Sequence, residues 1–350
     1  MPDAPRPLPV NMKRRFLEKA HQALGMTSAC DLYVRARRIR GAVILMYHSV
    51  APPERRIHQD QAMAMPEPIF AAQMAFLSRR RRVISLDALA GMLDEGQSPE
   101  PGSVVITFDD GYLDNYEVAA PILAHHGLPA TVLLATGYVE RAENMWIDEL
   151  YGAFRGRTQQ RLGLLDAAFD LSKPTQRDQA CQLAAGALVP ASRAERAELM
   201  SSIRDQLEPR SNEIRLMMNW DEVRELHRRY PNISIGSHTR EHIDLSSAPN
   251  DEVVKELSAA HEDIRRELGF EATHFAFPYG RDSAHARNWL KSHGYRTAVL
   301  TEPMTLAQSA SDPLVLTRLE VGQDRSPGRF AYHTSGAHPS LSRALFLGRA

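Results

Sequence analysis

Apolar and polar residues alternate along this chain in blocks that predict strands and helices in turn. Runs such as GAVILMYHSV (41–50) and SVVITFDDGY (103–112) are short and rich in β-forming residues, which is typical of buried strands. Other segments, such as residues 250–270, place apolar side chains at helical spacing. The strand-then-helix order recurs about seven times, which implies right-handed βαβ units with parallel strands.

This pattern predicts an α/β fold, a distorted (β/α)7-type barrel that is closed or nearly closed. An open doubly wound sheet is the alternative fold. The chain contains neither GxGxxG nor GxxxxGKS, so the common nucleotide-binding fingerprints of open-sheet folds are missing. The barrel is therefore the simpler interpretation.

Several segments lie outside the repeating pattern. We predict a basic helical N-terminal extension over residues 1–40, a barrel domain over residues 41–325, and a C-terminal tail of little periodicity over residues 326–350. Residues from about 146 to 215 are rich in Ala, Leu, Arg, Gln and Glu, which predicts a helical insertion. The insertion either overhangs the site or forms a dimer contact, and the oligomeric state stays open.

The composition excludes some classes of protein. Of the 350 residues, 43% are hydrophobic and 24% charged, as in globular proteins, and the net charge of -1 gives no basic field that would attract nucleic acid. The two cysteines, Cys30 and Cys181, fit a reducing compartment. No run approaches the length of a signal-peptide core or a membrane span. We therefore expect a soluble cytoplasmic protein.

One local charge bias bears on location. Residues 11–40 carry eight Lys or Arg residues against two acidic ones. A basic helical segment of this kind could contact anionic lipid headgroups at the inner membrane face. The simpler interpretation is a solvated helix packed on the domain.

Several predicted strands end at a chemically useful side chain. Because the carboxyl ends of parallel strands gather on one face, these side chains are expected to meet there. They are His48 after VILMY, Asp109 and Asp110 after VVITF, His238 after ISIGS with His242 four residues on, and Pro278 and Tyr279 after FAF.

The two adjacent aspartates need a cation, since neighbouring buried anions repel each other. Two histidines at HxxxH spacing and one aspartate would form a facial ligand set for a divalent ion, and the other aspartate would be left as a general base. Taken singly, each motif has a structural interpretation: Asp-Asp-Gly and Pro-Tyr-Gly as turns, HxxxH as surface histidines, and His48 as a core histidine. Their shared position at strand ends favours the catalytic hypothesis.

The motifs TFDDG (107–111) and HTREH (238–242) resemble those of the polysaccharide deacetylases, the NodB-homology family of metal-dependent carbohydrate esterases. The resemblance runs from about Gly41 to Val321, with the helical insertion outside it, and includes FAFPYG (275–280) and LTRLEV (316–321). It implies a distorted barrel of about seven strands that hydrolyses an N-acetyl or O-acetyl group on a sugar. Its implied roles are base for Asp109, metal ligands for Asp110, His238 and His242, and oxyanion donor for the Tyr279 N–H.

Two departures from the family pattern concern the proton-transfer residues. Phe277 stands where many members carry the arginine that orients the base, and Arg318 is a candidate replacement on position alone. The late Leu-x-His motif is here Leu316-Thr317-Arg318, whereas Tyr47-His48 resembles the early Tyr-His motif of a subgroup, the biofilm poly-N-acetylglucosamine deacetylases. This likeness implies that His48 is the general acid. The predicted substrate-binding residues are Tyr279, Pro278, Tyr112 and Arg318.

The sequence thus predicts a metal-dependent hydrolase that removes an N-acetyl group from an acetylated amino sugar of a polysaccharide precursor, nucleotide-linked or lipid-linked. The alternative is a metal-dependent amidohydrolase of a small linear or cyclic amide. A non-catalytic scaffold would be expected to have lost at least one of the five site residues, and all are present. Zn²⁺ suits two nitrogens and one oxygen, and Co²⁺, Ni²⁺ and Fe²⁺ are compatible.

Overall fold

A parallel sheet of eight strands forms the centre of the computed structural model, which describes residues 29–56, 59–60, 63–210, 214–301, 305–322 and 326–337. Its strands are β1 (Ala42–Tyr47), β4 (Arg82–Val83), β5 (Ser103–Asp110), β6 (Ala130–Leu134), β9 (Ile233–Ser237), β10 (His274–Ala276), β11 (Thr297–Val299) and β12 (Leu319–Glu320). The order is β11-β10-β9-β6-β5-β1-β12, with β4 paired to β5 off this path. Every pairing in this sheet is parallel, as the repeating pattern predicts.

The two edges of the sheet meet through the chain that leads into β12. Val299 of β11 forms a parallel bridge with Leu316. The N–H of Leu300 donates to the Leu316 carbonyl at 2.7 Å. Because β12 also pairs with β1, the sheet is a nearly closed, distorted barrel. The predicted (β/α)-barrel fold is confirmed.

Alternate residues of each strand face the barrel interior or the surrounding helices. On β5, Val104, Ile106 and Phe108 join the large outer core under the helices, whereas Val105 joins an inner cluster. That inner cluster collects residues from strands around the whole barrel, including Ala42, Ile44, Leu133, Ala276 and Val299. Asp109 follows Val105 by four residues on β5, so both side chains lie on the same face of the sheet. Asp109 therefore lies over the filled interior of the barrel.

Helices follow the strands and cover the outer face. They are α1 (Ala29–Ala36), α2 (Pro53–Arg56), α3 (Glu67–Arg80), α4 (Leu86–Asp94), α5 (Ala120–His125, preceded by a π-helical turn Asn115–Ala119), α6 (Thr136–Arg141), α7 (Trp146–Gly156), α8 (Pro174–Leu188), α9 (Arg193–Leu207), α10 (Trp220–Arg229), α11 (Asn250–Leu268), α12 (Ala284–Ser292) and α13 (Pro327–Thr334). Helix α4 differs, because its Leu86, Leu89 and Leu93 belong to the inner cluster. None of the helices described here has the length and apolar character needed to cross a bilayer.

The predicted helical insertion is present and contains α7, α8 and α9 around its own apolar core. It differs from the prediction in one respect, an antiparallel hairpin of β7 (Arg161–Leu164) and β8 (Ala167–Asp170). Leu165 and Asp166 form its tight turn with φ values of +48° and +63°. Tight hairpin turns favour Asn-Gly or Asp-Gly, and a Leu-Asp pair is not typical of them. The hairpin was therefore not evident from the sequence.

Two other segments also differ from the sequence expectation. Residues 51–68 are proline-rich and polar, which predicts a loop. They nevertheless contain β3 (Ala64–Pro66), which pairs in parallel with β2 (Ser49–Ala51). The predicted C-terminal tail includes α13, whose Tyr332 packs with Cys30 and Val34 of α1. Of the predicted N-terminal extension, residues 1–28 lie outside the described residues.

Candidate active site

The sheet brings the predicted ligands together at the carboxyl ends of its strands. Asp109 and Asp110 are the last two residues of β5, and His238 follows the last residue of β9. Potential ligand atoms of Asp110, His238 and His242 all lie within 4.8 Å of one another. The convergence that the sequence pattern implied is therefore present for these side chains.

The three side chains have the geometry of a facial metal-ligand set. Asp110 Oδ1 lies 3.6 Å from His238 Nε2 and 3.6 Å from His242 Nε2. Tetrahedral coordination with bond lengths of about 2.0–2.1 Å separates ligand atoms by roughly 3.4 Å, so a small ion fits between them. His238 Nδ1 lies 2.8 Å from the Ala276 carbonyl, which leaves Nε2 directed at the ion position.

The chemistry of this set also fits a cation. Asp110 is 2% exposed, and its Oδ1 has no hydrogen-bond partner among the described residues. Burial, together with the charges of Asp109 and Asp148, raises the pKa of Asp110 well above its ordinary value. Burial also lowers the pKa of both His238 and His242, which keeps the imidazoles in the neutral form that binds metals. A divalent ion would offset the cost of the Asp110 charge.

Asp109 has a cation of its own. Arg318, which is 0% exposed, donates from Nη1 to Asp109 Oδ1 at 2.7 Å and from Nη2 to Oδ2 at 2.6 Å. Arg318 also donates to Thr107 Oγ1 and to the Leu300 carbonyl, which fixes the plane of the guanidinium. Burial alone would raise the pKa of Asp109, but the charges of Arg318 and His238 hold it well below its usual range. Arg318 therefore supplies the cation that holds Asp109 in place, a contact that Phe277 cannot make.

His48 follows β1 and lies half-buried near Asp109, Arg318 and His238. Burial lowers the pKa of His48 to about 4, against a smaller opposite effect of the Asp109 charge. The backbone around it is anchored, since Asn115 Nδ2 donates to the His48 carbonyl at 2.7 Å and the Val50 N–H donates to Asp114 Oδ1 at 2.8 Å.

Strained backbone is concentrated at this site. Asp110, Thr239, His242 and Tyr279 all have positive φ values, of +74°, +65°, +50° and +57°. Non-glycine residues in this region cost about 1–3 kcal/mol each and persist where the surrounding structure enforces them. Two of the three ligand-set residues are therefore presented by turns that ordinary side chains disfavour.

The Pro-Tyr-Gly turn and the insertion support His242 from behind. The Tyr279 ring packs edge-on against the His242 ring at 4.7 Å, and its hydroxyl donates to the His242 carbonyl at 3.2 Å. Arg196 of α9 is 4% exposed and donates from Nη2 to the His242 carbonyl and from Nη1 to the Glu241 carbonyl. Pro278 is buried at the start of the turn. The side chains of Tyr279 and Arg196 thus hold the loop that carries His242 in place.

Tyr112, predicted to bind the substrate, lies buried against the insertion. Its side chain is 0% exposed and belongs to the apolar core of the insertion. Its hydroxyl donates to Asp148 Oδ2 at 2.7 Å. The side chain is therefore a link between the TFDDG segment and the insertion, with no surface open to a substrate.

Sequence reasoning missed the residues that brace the HTREH loop. Glu256 Oε2 accepts from the N–H groups of Arg240 and Glu241 at 3.0 and 2.8 Å. Asp263 accepts from Thr136 Oγ1 at 2.8 Å and from the Arg240 guanidinium. Both acids are buried on α11 although they stand in a helix rich in exposed charge. The one available signal in the sequence was spacing, since Glu256 and Asp263 each follow an apolar residue of the buried face, Val253 and Ala260, by three positions.

Comparisons with known proteins agree with this arrangement. A family model for polysaccharide deacetylases matches residues 96–298. YxkH of Bacillus subtilis (strain 168), which carries the polysaccharide deacetylase name, is 28% identical over 133 residues. That match covers 38% of this chain and 45% of YxkH, so the chain spans about half the length of this relative.

Solved structures support the fold. The Streptococcus pyogenes deacetylase PplD in complex with acetate has a TM-score of 0.57 at 18% identity, with 84% of this chain and 98% of PplD covered. IcaB from Ammonifex degensii has a TM-score of 0.55 at 18% identity, with 85% and 97% covered.

The family model spans more than half of the sequence and includes the TFDDG and HTREH segments that form the ligand set. The early Tyr-His subgroup is not distinguished by these comparisons and stays a prediction. This chain belongs to the polysaccharide deacetylase family.

Proposed function

We propose that this protein is a metal-dependent hydrolase that removes the N-acetyl group from an acetylated amino sugar in a glycan or glycan precursor. One observation carries the proposal: the adjacent aspartates have different surroundings. Asp109 is paired through both oxygens with Arg318, whereas Asp110 faces two neutral histidines and has an unpartnered oxygen. Two acids set apart in this way suit a base and a metal ligand.

Each residue has a distinct role in this proposal. Asp110, His238 and His242 would hold the ion, for which Zn²⁺ is the first choice and Co²⁺, Ni²⁺ or Fe²⁺ are compatible. When bound, the ion would act as a Lewis acid toward the acetyl carbonyl and lower the pKa of the attacking water. Asp109, fixed by Arg318, accepts a proton from that water. The N–H of Tyr279 donates to the oxyanion of the tetrahedral intermediate.

His48 is the proposed acid for the leaving amine. With a pKa near 4, it is neutral at pH 7 before the reaction starts. It must therefore gain its proton during turnover, and the proton that Asp109 takes from water is the nearest source. This transfer predicts a solvent isotope effect on acetate release that His48→Gln reduces.

The sugar and its carrier are also part of the proposal. Nucleotide-linked and lipid-linked glycans both offer the acetamide, and a cytoplasmic location would suit either. Residues 37–40 of the basic segment lead into the amino end of β1, whereas the ligand set lies at the carboxyl ends. The described part of that segment therefore does not line the site, which favours a soluble carrier.

Acetate release from a panel of N-acetylated and O-acetylated sugar conjugates tests the proposal, with metal content measured on the same sample. We expect release from an N-acetylated sugar, and loss of both metal and activity in Asp110→Ala, His238→Ala and His242→Ala. Release of acid only from small linear or cyclic amides would support the amidohydrolase alternative. No release from any compound by the metal-loaded protein would contradict the proposal.

A further inference from the structure

A strongly basic cavity lies away from the ligand set and plays no part in the chemistry above. Its volume is about 280 Å³, room for roughly nine water molecules. Its charged lining residues, which define the arginine pocket, are Arg35, Arg79, Arg80, Arg81, Arg82 and Asp31. A second cavity of about 430 Å³ adjoins it through Arg35 and adds Arg38, Arg40 and Glu100.

The arginine pocket lies at the amino end of the barrel. Gly102, which lines it, directly precedes β5, and Arg82 pairs in register with Ser103, the first residue of β5. Asp109 and Asp110 end the same strand. At about 3.3 Å per residue, the two ends of β5 are roughly 23 Å apart. A molecule in the pocket would therefore not touch the proposed substrate.

The pocket contains a fixed cation as well as exposed ones. The side chain of Arg81 is 3% exposed and lies 2.9 Å from Asp31. It donates to the Ala331 carbonyl at 2.7 Å and to Thr334 Oγ1 at 3.3 Å, which orients the guanidinium. Asp31 also lies 3.3 Å from Arg80, so one carboxylate is shared by two arginines.

The charge around the pocket is unbalanced. Arg35, Arg79 and Arg82 are exposed at its edge, and Asp31 is the single acid among the pocket's lining residues. Like charges that line one pocket repel one another, and an anion with several acceptor oxygens relieves the repulsion. Planar guanidinium groups bind phosphate oxygens in pairs, which makes phosphate the matching chemistry.

We propose that the arginine pocket binds a phosphate-bearing anion, either the phosphodiester headgroup of an anionic lipid or a free phosphate group. The site is independent of the acetyl hydrolysis proposed above, because its residues lie at the other end of the barrel. Binding therefore stabilises the folded protein without competing with the sugar.

The test uses the full chain and two probes. Vesicles of phosphatidylcholine with or without one quarter phosphatidylglycerol measure lipid binding by co-sedimentation. Inorganic phosphate against chloride at constant ionic strength measures free-phosphate binding by thermal shift. The test variant combines Arg35→Gln, Arg79→Gln and Arg82→Gln, all exposed positions, and the matched control combines Arg177→Gln, Arg228→Gln and Arg265→Gln.

We expect the test variant to lose at least about 10-fold in binding to one probe, while the control stays within about 2-fold of the unchanged protein. Loss confined to phosphatidylglycerol vesicles identifies a lipid headgroup, and loss of the phosphate-induced shift identifies a free phosphate. If neither probe binds, or if the test variant and the control lose equally, the proposal is wrong. A test variant that retains in full both the vesicle binding and the phosphate-induced shift also overturns it, because other basic residues then account for the binding. Circular dichroism of each variant establishes that it is folded.

Discussion

At the scale of single residues, the two adjacent aspartates show how neighbouring charges shift the pKa of a buried carboxyl group. Both are about equally buried, and burial disfavours the charge of each. Arg318 reverses that effect for Asp109, whereas Asp110 has a second carboxylate beside it and no fixed cation. The surroundings of Asp109 therefore favour its ionised form, whereas those of Asp110 disfavour it.

Asp109→Asn should separate these roles. We expect the variant to bind metal and to release acetate about 10²–10⁴-fold more slowly, because the proton acceptor is gone. It should also lose about 3 kcal/mol of unfolding free energy, since Arg318 becomes a buried cation without a counter-charge. Metal analysis, acetate kinetics and denaturant unfolding measure the three effects.

The double variant Asp109→Asn with Arg318→Met is the control for that result. Removing both charges should restore stability without restoring activity. If Asp109→Asn instead lost its metal, the assignment of the two aspartates would be wrong.

At the scale of elements, Arg196 ties the insertion to the backbone of the loop that carries His242. Arg196 donates to the carbonyls of Leu188 and Val189 within the insertion and to those of Glu241 and His242 in the ligand loop. Its guanidinium also lies over the Trp146 ring, 5.5 Å from its centroid. All its hydrogen-bonded acceptors are neutral, so the contact fixes position and does not cancel a charge.

Arg196→Met should therefore weaken metal binding by about 10-fold, because the loop that presents His242 loses its clamp. Activity should recover at saturating metal. Arg196→Lys should not rescue it, since a single ammonium cannot reach acceptors on both sides. Arg204→Gln is the matched control, because Arg204 lies on the same helix with 47% of its side chain exposed and pairs with Glu149 inside the insertion. Competition with a metal-binding dye measures the affinity, and an unchanged value in Arg196→Met would contradict the clamp.

Glu256 gives α11 a pH-dependent effect on stability. Burial raises its pKa to about 7, despite the two N–H groups that donate to it. The folded protein therefore binds a proton between about pH 4.5 and 7 that the unfolded chain releases, so stability falls as pH rises through this window. Glu256→Gln keeps a side-chain oxygen that accepts from both N–H groups. The variant should reduce the fall in unfolding free energy across this window by up to about 3 kcal/mol.

Urea unfolding at pH 5 and pH 8 checks the Glu256 prediction. If the free energy of unfolding falls equally from pH 5 to pH 8 in Glu256→Gln and in the unchanged protein, Glu256 is not the group responsible. Glu262→Gln serves as control, because its side chain is 54% exposed on the same helix.

The strands and the ligand set could be predicted because each corresponds to a short, continuous sequence pattern. The strands are continuous apolar runs, and Asp109, Asp110, His238 and His242 follow directly from where two of those runs end. Arg196 and Glu256 could not be predicted, since each acts on backbone groups that are distant in sequence. The hairpin of the insertion was also hidden, because its turn depends on left-handed Leu165 and Asp166.

At the scale of the whole molecule, an ion bound by Asp110, His238 and His242 would join β5 to the loop after β9. Binding of the ion to the folded state alone stabilises it by about 4 kcal/mol when its concentration is roughly 1,000 times the Kd. A chelator should therefore lower the melting temperature of the barrel by several degrees.

Asp110→Asn distinguishes this effect from general chelator damage. Without metal, the variant should melt above the metal-free unchanged protein at pH 8, because an uncompensated buried carboxyl has been removed. The chelator should then have no further effect on it. Asp178→Asn, at a side chain that is 68% exposed, should respond as the unchanged protein does. Differential scanning calorimetry with and without chelator measures the melting temperatures of the unchanged protein, Asp110→Asn and Asp178→Asn.

The filled interior of the barrel has a consequence for the order in which products depart. Side chains such as Ile44, Val105 and Leu133 occupy the space beneath Asp109, so acetate formed there has no exit through the amino end. Acetate must leave by the mouth through which the sugar entered, after the larger amine has cleared it. Acetate added to a reaction should then compete directly with the sugar, whereas the deacetylated sugar should inhibit in a noncompetitive pattern.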